Sequence, residues 1–157
     1  METNELIEFW KKLDVAKGPF IHPDDREYFE NSIPENVAHP RIEFENFDRS
    51  PLANKESFVH FWLKPFPYMG DIKNADIFVL MINSGCRAND YQTETQFKFS
   101  DAVNQNIGQN FNSLDPRFIY LNDNFSFHRG YHYWKKTFRG ISESKDFSNR
   151  ISVLQIF

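Results

Sequence analysis

The stretch DIFVLMINSGCRANDY, residues 76–91, decides the fold that this chain is expected to adopt. Its unbroken apolar run, Ile77–Ile82, stops at an Asn-Ser-Gly turn, and the chain then becomes polar. An apolar run without alternation is typical of a strand that is covered on both faces, as in parallel α/β sheets. The sequence therefore predicts a central buried strand that delivers Asn83 and an exposed backbone to the following loop.

A second apolar run, RISVLQIF, lies at residues 150–157 and predicts a second buried strand. Apolar residues recur at helical spacing twice between the two strands, so two helices are expected there. Their apolar positions are Phe99, Val103, Ile107 and Phe111 in the first helix, and Tyr131, Trp134, Phe138 and Ile141 in the second. This order predicts the α/β class, with a parallel sheet flanked by helices. The last strand is expected to leave an open edge that pairs with another chain.

The chain is expected to divide into two regions. Residues 1–64 are predicted to form a helical and extended region that packs on an α/β core of residues 65–157. Prolines at positions 65 and 67 exclude a helix at the start of that core and favour an extended segment. The elements predicted before it are a helix at residues 3–13, a helix between Pro23 and Pro34, a strand or extended arm at 41–47, and a loop at 46–57.

Composition limits the classes of function. The 157 residues correspond to one domain by length, and the net charge of −4 gives no support for tight, nonspecific binding to a phosphate backbone. The single cysteine, Cys86, excludes an internal disulfide, and no Cys/His spacing resembles a zinc site, so no metal or cofactor is expected. The opening residues do not resemble a signal peptide, and no apolar run approaches the roughly 20 residues of a membrane span. A cytoplasmic protein without a membrane partner is therefore predicted.

Three segments together resemble the uracil-DNA glycosylase-like superfamily, in a largely uncharacterised bacterial branch. They are PFPYMGDIKNADIFVLMINSG at residues 65–85, DPRFIYLNDNFSFHRGYHYWKKTFRGI at 115–141, and RISVLQIF at 150–157. In that superfamily the first buried strand ends in Asn-Pro-Gly, whereas Ser84 stands here at the proline position. The resemblance implies a uracil-DNA glycosylase-like fold that is incomplete at its C-terminus, because a second catalytic loop would follow Phe157.

The resemblance implies a DNA partner and hydrolysis of the N-glycosidic bond between a base and its sugar. Such a reaction needs a held water, stabilisation of the departing base and an aromatic platform for the flipped base. By its match to the strand-end asparagine of the family, Asn83 would orient the water. The residues that would bind the base are Ser84, Gly85, Cys86, Tyr91 and Phe97, with one of the two rings stacking on it. The chain would be inactive by itself, because one loop does not supply both catalytic functions.

Each of these residues also has a structural interpretation. Asn83 also suits the cap of a strand-to-loop turn, and Tyr91 and Phe97 also suit a core. A nucleophilic role for Cys86 needs a neighbouring base, and no histidine lies near it in the sequence. The alternative function is a non-catalytic protein-interaction or binding module, which would contact a protein partner or a second copy through the C-terminal strand.

Overall fold

The computed structural model describes residues 2–31, 61–82, 88–141 and 145–156. The helices in these ranges are α1 (Thr3–Trp10), α2 (Arg26–Asn31), α3 (Ala88–Glu94), α4 (Phe97–Gly108), α5 (Arg129–Thr137) and α6 (Lys145–Arg150). The strands are β1 (Tyr68–Met69), β2 (Ile77–Ile82) and β3 (Ile151–Ile156). Within the described ranges, every helix is too short or too polar to cross a bilayer.

The three strands form one mixed sheet in the order β1-β3-β2. Strands β2 and β3 are parallel, with Ile77 opposite Ile151 and Ile82 opposite Ile156. Strand β1 is antiparallel to β3, with Tyr68 opposite Leu154. The α/β class is confirmed, but the prediction of a parallel sheet holds only for the β2–β3 pair. The antiparallel strand escaped prediction because it has two residues, too few to show a periodic pattern.

The order of the strands corrects the prediction for the C-terminal strand. Strand β3 lies in the centre of the sheet, because the extended segment that begins at Pro65 returns along its far side and forms β1. Among the residues that the structure describes, no strand pairs with the outer side of β2. In the part of the chain that the structure describes, the open edge, and with it the expected route to self-association, therefore belongs to β2 and not to β3.

Among the described residues, strand β2 is covered on one face only, contrary to the prediction of a fully buried strand. Val79 and Met81 pack against the main hydrophobic core. On the opposite face, Phe78, Leu80 and Ile82 are 47%, 64% and 82% exposed. An unbroken apolar run does not by itself distinguish a buried strand from an edge strand with an uncovered face.

Two apolar clusters hold the sheet to the helices. The larger lies between one face of the sheet and helices α4 and α5, and its most buried members include Phe99, Val103, Phe118, Ile119, Trp134, Ile151 and Val153. The smaller joins Ile7 of α1 to Tyr68 and Ile72 on the other face. Helix α1 therefore covers the β1 side of the sheet and leaves the outer part of β2 in solvent.

The amphipathic helices were predicted closely, because burial of one face repeats at helical spacing. Helix α4 has the expected 12 residues and begins two residues early, and α5 occupies the ring-rich segment before Gly140, which has a φ of 89°. Helix α1 ends at Trp10, three residues before the predicted end. Pro23 opens a 3-10 turn that leads into α2. The predicted helix end at Pro34, arm at 41–47 and loop at 46–57 lie outside the described residues.

Amide side chains of α4 and the residue that follows it hold the β1 segment in place. The Asn106 side chain accepts a hydrogen bond from the Gly70 amide at 2.9 Å and donates one to the Tyr68 carbonyl at 2.7 Å. The Gln109 side chain donates to the Gly70 carbonyl and accepts from the Ile72 amide, each at 3.0 Å. These bonds replace the strand partner that β1 lacks on its outer side among the described residues, so the backbone polar groups there are satisfied.

Candidate functional site

The predicted catalytic loop connects the end of β2 to the start of α3. Its residues Asn83, Ser84, Gly85 and Cys86 lie outside the described residues, whereas both elements that it connects lie within them. Strand β2 ends at Ile82 and runs parallel to β3, which places the loop at the carboxyl end of a parallel strand pair. Ligands of open α/β sheets bind at this end of the strands.

The two predicted stacking rings occupy different environments. Tyr91 lies in α3 and is 4% exposed, so its ring belongs to the protein interior. Phe97 is the first residue of α4 and is 85% exposed. Of the two, only Phe97 presents a ring that a base reaches without rearrangement of the fold.

A buried polar cluster lies directly beyond the candidate loop, where α3 meets the start of α5. We name it the α3–α5 cluster, and its members are Asp90, Glu94, His128 and Arg129. The guanidinium of Arg129 donates to both carboxylate oxygens of Asp90 at 2.7 to 3.0 Å. This two-pronged, charge-assisted ion pair links α3 to the start of α5.

His128 contributes a ring nitrogen to the cluster. Its Nδ1 accepts a hydrogen bond from the Gly130 amide at 3.0 Å and caps α5, which places the proton of the neutral ring on Nε2. That Nε2 lies 3.8 Å from Oε1 of Glu94 and 3.9 Å from Oδ1 of Asp90, beyond direct hydrogen bonding. The ring stacks on Phe99 with a centroid distance of 4.7 Å and an interplanar angle of 5°.

Two polar atoms of the cluster are buried without a hydrogen-bond partner among the described residues. They are Nε2 of His128 and Oε2 of Glu94. Burial raises the pKa of Glu94, and the neighbouring His128 opposes that rise. Burial and the carboxylates of Glu94 and Asp90 raise the pKa of Tyr120 well above its usual value, so this phenol stays neutral beside them. Buried polar groups without a hydrogen-bond partner are found at functional sites more often than elsewhere in proteins.

The sequence did not predict this cluster. Asp90 and Arg129 are separated by 39 positions, and no motif or spacing links them. The only local signal is the i, i+4 spacing of the two acidic residues, which places Asp90 and Glu94 on the same side of a helix that was itself not predicted. The cluster is therefore a product of the tertiary fold.

The cluster does not resemble a metal site. In the ranges that the structure describes, no group of three or more His, Cys, Asp or Glu residues is arranged to hold a metal ion. The guanidinium of Arg129 already occupies the oxygens of Asp90 that a cation would need.

No protein-family model, curated protein or solved structure matches the chain.

Proposed function

We propose that this protein recognises a base in DNA and, together with a second catalytic loop, hydrolyses the N-glycosidic bond that joins the base to its sugar. The observation that carries the proposal is the parallel β2–β3 pair, whose carboxyl end leads into the Asn-Ser-Gly loop. This is the position at which an α/β sheet presents a ligand site. The resemblance of residues 65–85 to the strand and turn of uracil-DNA glycosylase-like proteins supplies the reaction class.

In this proposal Asn83 orients the attacking water through its amide carbonyl and stabilises the positive charge that develops on the sugar. The backbone of Ser84 and Gly85 and the side chain of Cys86 line the base pocket. Phe97, with its exposed ring, stacks on the flipped base, and the buried Tyr91 supports α3 from the interior. The bidentate pair of Asp90 and Arg129 holds α3, which starts immediately after the loop, against α5.

Replacing Asn83 with alanine is expected to lower base release by about a hundredfold or more, because the water loses its orienting group. The test uses the recombinant protein with its natural ends, established by intact mass of the protein from its own cells. It is incubated with single-stranded and duplex oligonucleotides that contain uracil, mismatched or modified bases. Abasic sites are revealed by alkaline cleavage, and the released base is identified by mass spectrometry.

The matched control is Asn124→Ala, which removes the same amide from an exposed position in a 3-10 turn. It is expected to leave base release unchanged. Failure to form abasic sites on any of the substrates would exclude the proposed reaction, and equal activity of Asn83→Ala and the parent protein would exclude the assigned role. Strong activity of residues 1–157 alone would contradict the expectation that a second catalytic loop is needed.

A non-catalytic interaction module is the second candidate, and the exposed side of β2 favours it. All six residues of this strand are uncharged, and none is proline, although edge strands are usually protected by such residues. Strand β2 could pair in antiparallel fashion with β2 of a second copy, in a register centred on Leu80. In this register Phe78 of one copy lies opposite Ile82 of the other, and no like charges face each other. The occupant that we assign to this edge is therefore a second copy of the chain.

Replacing Leu80 with lysine is expected to weaken self-association at least about tenfold, because two like charges would then face each other across the pairing. Leu80 is 64% exposed, so the substitution leaves the core intact. Sedimentation equilibrium over a range of protein concentrations measures the effect. Tyr133→Lys, at an exposed position of α5, is the matched control and is expected to leave association unchanged. A monomeric parent protein at all concentrations would exclude the pairing.

A further inference from the structure

The outer side of α5 is basic, although the whole chain has a net charge of −4. Residues 124–141 include no aspartate or glutamate and carry four lysine or arginine residues. The inner side of the helix packs on the core through Trp134, whose ring meets the ring of Phe118 edge-on at 5.4 Å. We name the outer side, with the turn that follows it, the α5 surface, and its exposed members are His132, Tyr133, Lys136 and Arg139.

The two cations of the α5 surface lack a counter-charge. Lys135, on the flank of the helix, lies 3.4 Å from the carboxylate of Asp123. By contrast, Lys136 and Arg139 form no ion pair with any residue that the structure describes. Because no carboxylate lies near them in the sequence either, the local potential is positive and favours an anionic partner.

The polar members of the α5 surface form a row along the helix. His132 and Lys136 are four residues apart and so lie on the same side, one turn from each other. Arg139 follows in the turn that closes the helix, where its amide donates to the carbonyl of Lys136. At a rise of 1.5 Å per residue the row is about 10 Å long, and one strand of DNA carries about three phosphates over that length.

Tyr133 adds an aromatic ring beside this row. Its side chain is 57% exposed, three positions before Lys136. The ring meets that of the buried Trp134 edge-on, with a centroid distance of 5.1 Å and an interplanar angle of 84°. A ring that the core holds in place on one side and that is open to solvent on the other is a platform on which a base stacks.

We propose that the α5 surface binds the backbone of a single DNA strand, with phosphates at Lys136 and Arg139 and a base stacked on Tyr133. Cations interleaved with exposed rings are the usual means of binding single-stranded nucleic acid without reading its sequence. Helix α5 begins beside α3, which follows the candidate loop directly, so the surface lies on an element next to the candidate site. The identity of the strand as DNA rests on the proposed function, whereas its binding does not require the reaction.

The packing of α5 favours nucleic acid over an anionic membrane as the partner. A helix that binds a bilayer inserts its apolar side between the lipids. The apolar side of α5 carries Trp134 and Phe138, and both pack against the main hydrophobic core. The side that remains free is the polar one, which suits phosphates and not acyl chains.

The double variant Lys136→Gln/Arg139→Gln is expected to weaken the binding of a single-stranded oligonucleotide about tenfold or more. Fluorescence anisotropy measures this, with the protein in its natural length and a labelled 20-nucleotide strand of the four ordinary bases. The slope of log K against log salt concentration is expected to become shallower by about 1.4, since each phosphate contact to a single strand contributes about 0.7. Lys17→Gln/Arg26→Gln removes the same charges from exposed positions elsewhere and is expected to change neither quantity.

Tyr133→Ala is expected to weaken binding about fivefold or more and to leave the salt slope unchanged, because a stacked ring neutralises no phosphate. Tyr133→Phe keeps the ring and is expected to bind like the parent protein. These positions are exposed, so urea denaturation is expected to give the same free energy of unfolding for every variant within about 0.5 kcal/mol.

Three results would overturn the inference. They are the absence of binding at about 100 μM protein and about 50 mM salt, equal affinity of the parent protein and Lys136→Gln/Arg139→Gln, and tighter binding to vesicles with one third phosphatidylserine that the same variant abolishes. The last result would assign the surface to a membrane. Intact, salt-dependent binding without base release would exclude the proposed reaction and would leave this inference standing.

Discussion

Gly70→Ala is expected to destabilise the folded chain by about 3 kcal/mol or more. Gly70 has a φ of 87°, a conformation that residues with a Cβ rarely adopt. A Cβ at this position would lie 2.5 Å from the carbonyl oxygen of Ile151 and 3.0 Å from the hydroxyl of Ser152. The first of these atoms is backbone of the central strand, so relief of the clash requires β1 to move away from β3. The free energy of unfolding, measured by urea denaturation, provides the test.

The control substitution for this prediction is expected to raise the free energy of unfolding instead of lowering it. Gly108 lies at the end of α4, and a Cβ there would meet nothing within 4 Å. Gly108→Ala is therefore expected to stabilise the chain by up to about 1 kcal/mol, through higher helix propensity. Equal effects of the two substitutions would show that the left-handed turn at Gly70 and its close approach to β3 do not exist as described.

Asn106→Ala is expected to cost about 3 kcal/mol of stability. The side chain of Asn106 is fully buried, and its amide satisfies two backbone groups of the β1 segment. Truncation leaves the Gly70 amide and the Tyr68 carbonyl without these bonds in the interior, and each unsatisfied group costs about 1 to 3 kcal/mol. Urea denaturation at neutral pH measures the loss.

Asn110→Ala is the matched control, because Asn110 follows the same helix and is exposed. It is expected to change the free energy of unfolding by less than about 0.5 kcal/mol. The double variant Gly70→Ala/Asn106→Ala adds a further test. Since both substitutions act on the attachment of β1 to the rest of the fold, their combined cost is expected to be smaller than the sum of the single costs. Full additivity would contradict the view that Asn106 acts by holding the Gly70 segment.

The candidate site was predictable only in part. The strand that leads to it was located from six consecutive apolar residues, Ile77–Ile82, and the structure places β2 at those positions. The loop residues Asn83–Cys86 were identified by resemblance and lie outside the described residues. The α3–α5 cluster was not predicted, because Asp90 and Arg129 come together only when α3 and α5 dock. A local pattern carries no information about contacts between residues that are so far apart in the chain.

The sequence by itself determined the strands β2 and β3 and the helices α4 and α5, whereas β1, α3 and α6 were not predicted. Apolar residues at helical spacing specified α4 and α5, because a helix buries one face every 3.6 residues. Prolines and glycines marked several of the boundaries, since their allowed backbone angles are local properties. These features depend on residues that are close in the sequence, within about two helical turns. They can therefore be predicted without knowledge of the tertiary structure.

Only the tertiary structure decided the environment of those segments. The return of β1 along β3 made the C-terminal strand central and left β2 at the open edge among the described residues. The packing of α1 over Tyr68 and Ile72 left Phe78, Leu80 and Ile82 exposed, although their sequence pattern is that of a buried strand. The physical reason is that burial and strand order are set by long-range packing. Several apolar segments can pack against the same helices, and the sequence pattern of one segment does not show which of them does so.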